Sequence, residues 1–145
     1  MSAVKIKTDW VDHYTFISSN EDNQSLIMDA SLHAEDTKKA PSPMEVVLMG
    51  LTGCAGIDVK MILTKARQQV RAIHIEARGE RADTVPAVYT NIHLHFTVTG
   101  VNLADKQVAR AVQMSAEKYC SVSKMLEKSV LISHDYSIKE SEQTS

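Results

Sequence analysis

Two cysteines, Cys54 and Cys120, are the residues in this 145-residue chain best suited to covalent chemistry. They do not form a Cys-x-x-Cys motif, so neither a thioredoxin-type pair nor a cysteine-rich zinc site is indicated. A buried free cysteine is often only a small hydrophobe. In a reducing compartment, however, a pair of thiols more often serves catalysis or redox sensing than structure. Asp58 stands four residues after Cys54. On a helix that spacing puts both side chains on one face, where the carboxylate opposes ionisation of the thiol. Glu45 is a second acidic candidate, with a competing reading as a helix-capping residue. Lys38 and Lys39 are cations in a polar loop, and loop solvation explains them as well as a site does. His93 and His95 share one strand face with Asn91 and Thr97, without an apparent third metal ligand, so no metal site is expected. His134 falls on the apolar parity of the last strand and reads as a core histidine.

The stretch 40–59 must position Cys54. Ser42 is a candidate N-cap, Pro43 suits the first helical position, and Glu45 sits where a capping-box partner belongs. The residues that follow are apolar nearly all round, interrupted by Thr52 and Asp58, which describes a helix buried on most sides. This apolar run reads as too short to cross a bilayer, for which about 20 apolar residues are needed. Gly50, Gly53 and Gly56 recur every third residue, each at a cost of about 1 kcal/mol against alanine. Close approach of another backbone is the usual reason for such a cost.

The remaining elements follow from periodicity. Val4, Ile6, Thr8 and Trp10 alternate with polar residues as a half-buried strand. Residues 13–18 and 25–30 read as two further strands joined by the turn Asn20–Asn23, and 31–41 as a polar loop. The helix runs to about Gln69. Ile73, Ile75 and Ala77, then Ile92, Leu94, Phe96 and Val98, mark two strands of a sheet with one wet face. Asn102 is a candidate cap for a second helix carrying Val108, Val112, Ala116 and Tyr119 on one stripe, with Cys120 at its end. Ser121 is a candidate cap for a short helix through Lys128. Residues 130–138 form a last strand, and the tail from Glu140 is polar. Strands, long helix, strands, helix and strand make an α+β fold with a largely antiparallel sheet, in one domain over 1–145.

Composition bounds the rest. A net charge of −2 and a pI near 6.3 leave no nucleic-acid footprint. No secretory signal is visible in residues 1–10, so a cytoplasmic location is expected, with no membrane partner.

Pro41-Ser42-Pro43-Met44-Glu45 leading to Gly53-Cys54, together with Ser115-Ala116-Glu117-Lys118-Tyr119-Cys120-Ser121-Val122-Ser123, resembles the two cysteine motifs of the OsmC/Ohr family, most closely its YhfA-like branch. The resemblance implies an intertwined homodimer with the long helices at its centre and two sites built from both subunits. It implies that Cys54 attacks an organic hydroperoxide and becomes a sulfenic acid. Cys120 then resolves it as a disulfide, which an external thiol reduces. Such chemistry needs a thiolate and a second sulfur within reach. No cofactor is implied. The family glutamate stands ten residues before the cysteine, where this chain has Met44, and Glu45 is nine before. One residue turns a helix by about 100°. No arginine precedes Arg67 to supply the family's partner for that glutamate, and Lys38 and Lys39 are the nearest cations. Two alternatives remain: a non-enzymatic redox sensor or binder of a small apolar molecule, and a structural stress protein with inert thiols.

Overall fold

The computed structural model describes residues 3–32 and 37–142. The expected loop 31–41 and the polar tail therefore lie partly outside the described residues. The chain divides into two compact units, Met1–Val47 and Leu48–Ser145.

The first unit holds a three-stranded antiparallel sheet in the order β1 (Lys7–Asp12), β2 (Thr15–Ser19), β3 (Ser25–Met28). The β2–β3 turn is built as its sequence demands. Asn20 Oδ1 accepts from the N–H groups of Asp22 and Gln24 at 3.1 and 2.9 Å. Asn23 takes the left-handed conformation (φ 61°) that asparagine tolerates. The expected half-burial of the first strand does not occur. β1 starts at Lys7 rather than Val4, and all six of its residues are exposed. Trp10, Val11, Leu26 and Ile27 are exposed apolar side chains among the described residues.

Helix α1 (Pro43–Lys65) starts in the first unit and runs on as the core helix of the second. Its capping box is closed in both directions. Ser42 N–H donates to Glu45 Oε1 at 2.9 Å and Glu45 N–H to Ser42 Oγ at 3.2 Å. The helix ends at Lys65, earlier than the expected Gln69. Arg67 adopts a left-handed φ of 59°, and Gln68 N–H reaches back to the Leu63 carbonyl at 3.0 Å. That closes the helix in a Schellman-type turn normally made by glycine. At 23 residues and a mean hydropathy of 1.8 over its most apolar window, α1 is long and apolar enough to span a bilayer. Reading the run as too short is therefore corrected. Its core role rests instead on packing: Leu51, Ala55, Val59, Ile62 and Leu63 are buried.

The second sheet has the order β4 (Gln69–Arg81), β5 (Tyr89–Val101), β6 (Leu131–Glu140). β5 is central, and Ile92, Leu94, Phe96 and Val98 are each at most 4% exposed. β4 pairs antiparallel to β5, whereas β6 runs parallel to it. The fold is α+β, as the element order implies, with this one parallel pair. Between β5 and β6 come α2 (Asp105–Met114), a single π-helical turn (Ser115–Tyr119) and α3 (Ser121–Leu126).

Two expected caps are displaced. Asn102 is not the α2 cap, a position held by Ala104. Asn102 has φ 51°, and its N–H is held by the Glu140 carboxylate at 3.0 and 3.2 Å. Ser121 is the first residue of α3, whose cap is Cys120.

Candidate functional site

Cys54 and Asp58 leave α1 one turn apart on the same face. Cys120 arrives from the far end of α2, where the helix widens. Cys120 N–H bonds to the Ser115 carbonyl at 2.9 Å, an i to i−5 bond that inserts an extra residue into the turn. Cys120 then adopts extended backbone (φ −73°, ψ 105°) and caps α3, its Sγ accepting from Ser123 N–H at 3.4 Å. One π-turn and one cap thus fix this thiol from both sides. The result is a cluster in which the two sulfurs and a carboxylate oxygen of Asp58 all lie within 4.8 Å of one another. Ser115 completes it. Its hydroxyl donates to Asp58 Oδ2 at 3.3 Å and lies 3.5 Å from the Ala55 carbonyl.

The two thiols are unequal. Cys120 is 1% exposed, whereas Cys54 is half-buried and reaches the surface. Burial pushes the Cys120 thiol up to about 11; the neighbouring Cys54 and Asp58 add to the shift, and the Ser123 N–H bond opposes it. Burial likewise raises the Asp58 carboxyl above its ordinary value, and the Ser115 hydrogen bond only partly offsets this. Asp58 is 9% exposed and has no cation within ion-pair distance among the described residues.

Glu45 lies in the first unit, paired with Lys38 Nζ at 2.8 Å. Lys38 foremost, and then Ser42, hold its carboxyl down to about 2. The resemblance implies an arginine–glutamate pair; here Glu45, one residue out of that register, pairs with a lysine. Lys39 contributes its backbone instead, its N–H donating to Asp29 Oδ2 at 2.8 Å.

Sequence reasoning missed a second polar cluster. Asp135 lies between His93 and His95 on the open face of the second sheet, its Oδ1 2.9 Å from His93 Nε2 and 2.7 Å from His95 Nδ1. Ser133 and Ser137 flank the two rings at 2.7 and 3.3 Å. With neutral rings, all four bonds form when each histidine donates to Asp135 and accepts from its serine. The signal was the parity of residues 133, 135 and 137, but reading it required knowing that β6 adjoins β5. His134, on the opposite parity, lines a small cavity beside Cys120 with Ser115 and Ser123.

Residues 35–135 match the family model described as OsmC-like protein. The chain belongs to the OsmC-like family. Among OsmC-like relatives, Protein YhfA of Escherichia coli strain K12 is 45% identical over 135 residues, covering 93% of this chain and 98% of that protein. The crystal structure of a hypothetical protein from Aquifex aeolicus VF5 is 28% identical, with a TM-score of 0.86, over 98% of this chain and 100% of that one. The organic hydroperoxide resistance protein OhrB of Bacillus subtilis is 15% identical, with a TM-score of 0.63, over 94% of this chain and 98% of its own. At that identity OhrB shares the OsmC-like fold, and nothing finer follows from the likeness.

Proposed function

We propose that this protein reduces organic hydroperoxides with Cys54 as the attacking thiol and Cys120 as the resolving one. The observation that carries this reading is the proximity of the two sulfurs in the reduced protein, within 4.8 Å. The Cys54 thiolate attacks the terminal peroxide oxygen; the O–O bond breaks, and the alkoxide leaves as the alcohol by taking up a proton equivalent to the one Cys54 lost on ionising. The Cys54 sulfenic acid is then attacked by Cys120, whose proton goes to the departing hydroxyl. The products are a disulfide and water. An external thiol returns both sulfurs to the reduced state. The unequal burial of the thiols supports the assignment. Half-buried Cys54 can meet a substrate, and buried Cys120 can meet only Cys54.

The proposal keeps Glu45 in the catalytic set, with Lys38 as its cation partner. The site is completed by a second copy of the chain. In support, Met49, Ile57 and Met61 project from α1 at 52, 71 and 40% exposure. A Cβ added at Gly50 or Gly53 would meet nothing within 4 Å among the described residues. Gly56 instead faces the Ile75 side chain at 3.2 Å, so of the three glycines the sequence singled out, Gly50 and Gly53 are the open ones among the described residues. An apolar stripe of this kind marks an interface. The proposed location is the cytoplasm, where thiol reductants keep cysteines reduced.

A second reading, binding of a small apolar molecule, is favoured by a groove of about 450 Å³ in the first unit lined by Ile6, Leu26, Met28 and Val46. Saturable, dithiol-dependent turnover of an organic hydroperoxide that is abolished in Cys54→Ser tests the enzyme reading. Absence of turnover in the reduced wild-type protein refutes it.

A further inference from the structure

The cluster at Cys54 holds a carboxylate that redox chemistry between two thiols does not need. Asp58 is buried, has no cation partner among the described residues, and spends one oxygen on Ser115. Its other oxygen has no hydrogen bond among the described residues. With Cys54 it forms an i, i+4 pair on one helix face, a spacing that lets one helix supply two ligands to an ion. Cys120 supplies a third donor from a different element.

We propose that reduced Cys54, Asp58 and Cys120 bind one thiophilic divalent cation of the zinc class. The ion-bound and disulfide forms are then mutually exclusive states of the same two sulfurs.

The donor set fits such an ion. Two thiolates and a carboxylate are ligands that zinc accepts in tetrahedral geometry. Zinc–sulfur and zinc–oxygen bonds of about 2.3 and 2.0 Å place tetrahedral ligands roughly 3.5–3.8 Å apart. The three donor atoms already lie within 4.8 Å of one another. Closing on an ion therefore asks for a contraction of no more than about 1–1.3 Å. The half-buried Cys54 side provides the entry path and leaves the fourth position to water. Ser115 acts as a positioning residue, fixing the Asp58 carboxylate so that its free oxygen can ligate. On binding, each thiol releases one proton, and the two thiolates and the carboxylate give the loaded centre one net negative charge. Oxidation by a hydroperoxide removes two electrons from the sulfurs, forms the disulfide and releases the ion. The peroxide is reduced to alcohol and water.

The inference shares its thiols with the proposed peroxidase reading but not its substrate, so binding without turnover would refute only that reading. Cobalt(II) is the probe, because zinc has no d–d spectrum. It is titrated without oxygen into the reduced, chelator-stripped full-length protein. The expected result is a thiolate-to-cobalt charge-transfer absorption that saturates at one ion per chain and is displaced by zinc. It is absent in Cys54→Ser and in the folded disulfide form, which serves as the control where Cys120→Ser fails to fold. Asp58→Asn should bind cobalt at least about 10-fold more weakly. His95→Asn should leave the absorption unchanged, which separates this centre from the exposed histidine cluster. No thiolate absorption at saturating cobalt overturns the proposal, as does an absorption that survives oxidation of the pair. Undiminished affinity in Asp58→Asn overturns the carboxylate's part in it.

Discussion

Replacing Asp58 by asparagine should stabilise the reduced, metal-free protein at neutral pH. The carboxyl is 9% exposed, has no cation within ion-pair distance among the described residues, and accepts one hydrogen bond, from Ser115 at 3.3 Å. Burial penalises its charged form, so its folded-state pKa lies above the ordinary value of 3.8. The sign follows from linkage. Between 3.8 and the raised value the native state binds more protons than the unfolded state, so stability falls as pH rises through that window. Each unit of upward shift removes about 1.4 kcal/mol at neutral pH. Asparagine has nearly the same shape, keeps an acceptor for Ser115 and carries no charge. An unfolding entropy of about 2.1 cal/mol/K per residue gives roughly 0.3 kcal/mol/K for a chain of this length, so each 1.4 kcal/mol moves Tm by about 4–5 °C. The assay is thermal unfolding of wild type and Asp58→Asn at pH 7 and again below pH 3.8, with thiol reductant and chelator present. The gain should appear at pH 7 and vanish at the acid end, where the wild-type carboxyl is protonated. A variant destabilised at pH 7 but not at the acid end would refute the reasoning, because it would mean that the ionised carboxylate is favourably held. Excess zinc should reverse the sign at pH 7 if the proposed metal centre forms.

Ser42→Ala should cost about 1 kcal/mol in denaturant unfolding, since it removes the acceptor for Glu45 N–H at the start of α1. The Lys38–Glu45 attraction should contribute stability above pH 4.5 and lose it as pH falls through about 2, so an acid titration of wild type against Glu45→Gln should converge at the low end. Alkylation of Cys120 in the reduced, metal-free protein should be slow at pH 7 and accelerate toward pH 11, because burial holds its proton; rapid labelling at pH 7 by mass spectrometry would contradict its 1% exposure. Gly53→Leu starts from a position where an added Cβ meets nothing within 4 Å among the described residues. It should therefore leave the fold of the chain intact and weaken association instead, as read by sedimentation; an unchanged oligomer would remove the α1 surface from the proposed interface.

Much of this was legible in the sequence where local chemistry decides. The Ser42–Glu45 capping box closes as its spacing demands, because cap and partner are three residues apart. The alternation of Ile92, Leu94, Phe96 and Val98 fixes the buried face of β5, because a strand's period is two. Pairing Cys54 with Cys120 came from the family resemblance, the i, i+4 spacing already set Asp58 beside Cys54, and the structure adds Ser115. Legibility ended where distant residues decide. Asn102 reads as a cap locally, yet Glu140, thirty-eight positions away, captures its N–H. Cys120 was marked as a nucleophile but not as a cap, since that role depends on the π-turn before it. Asp135 joins His93 and His95 only because β6 lies parallel to β5, which no turn signal announces. The exposed strand β1 departed from expectation because periodicity shows which face is apolar, not which molecule covers it.

The most direct test is intact-protein and peptide mass spectrometry after one equivalent of an organic hydroperoxide is added to the reduced, chelator-treated protein. A sulfur pair within 4.8 Å should give an intrachain Cys54–Cys120 disulfide, with sulfenic acid at Cys54 accumulating when Cys120 is replaced by serine. Sulfinic or sulfonic acid at Cys54 in the wild-type protein, with no 54–120 linkage, would contradict the account.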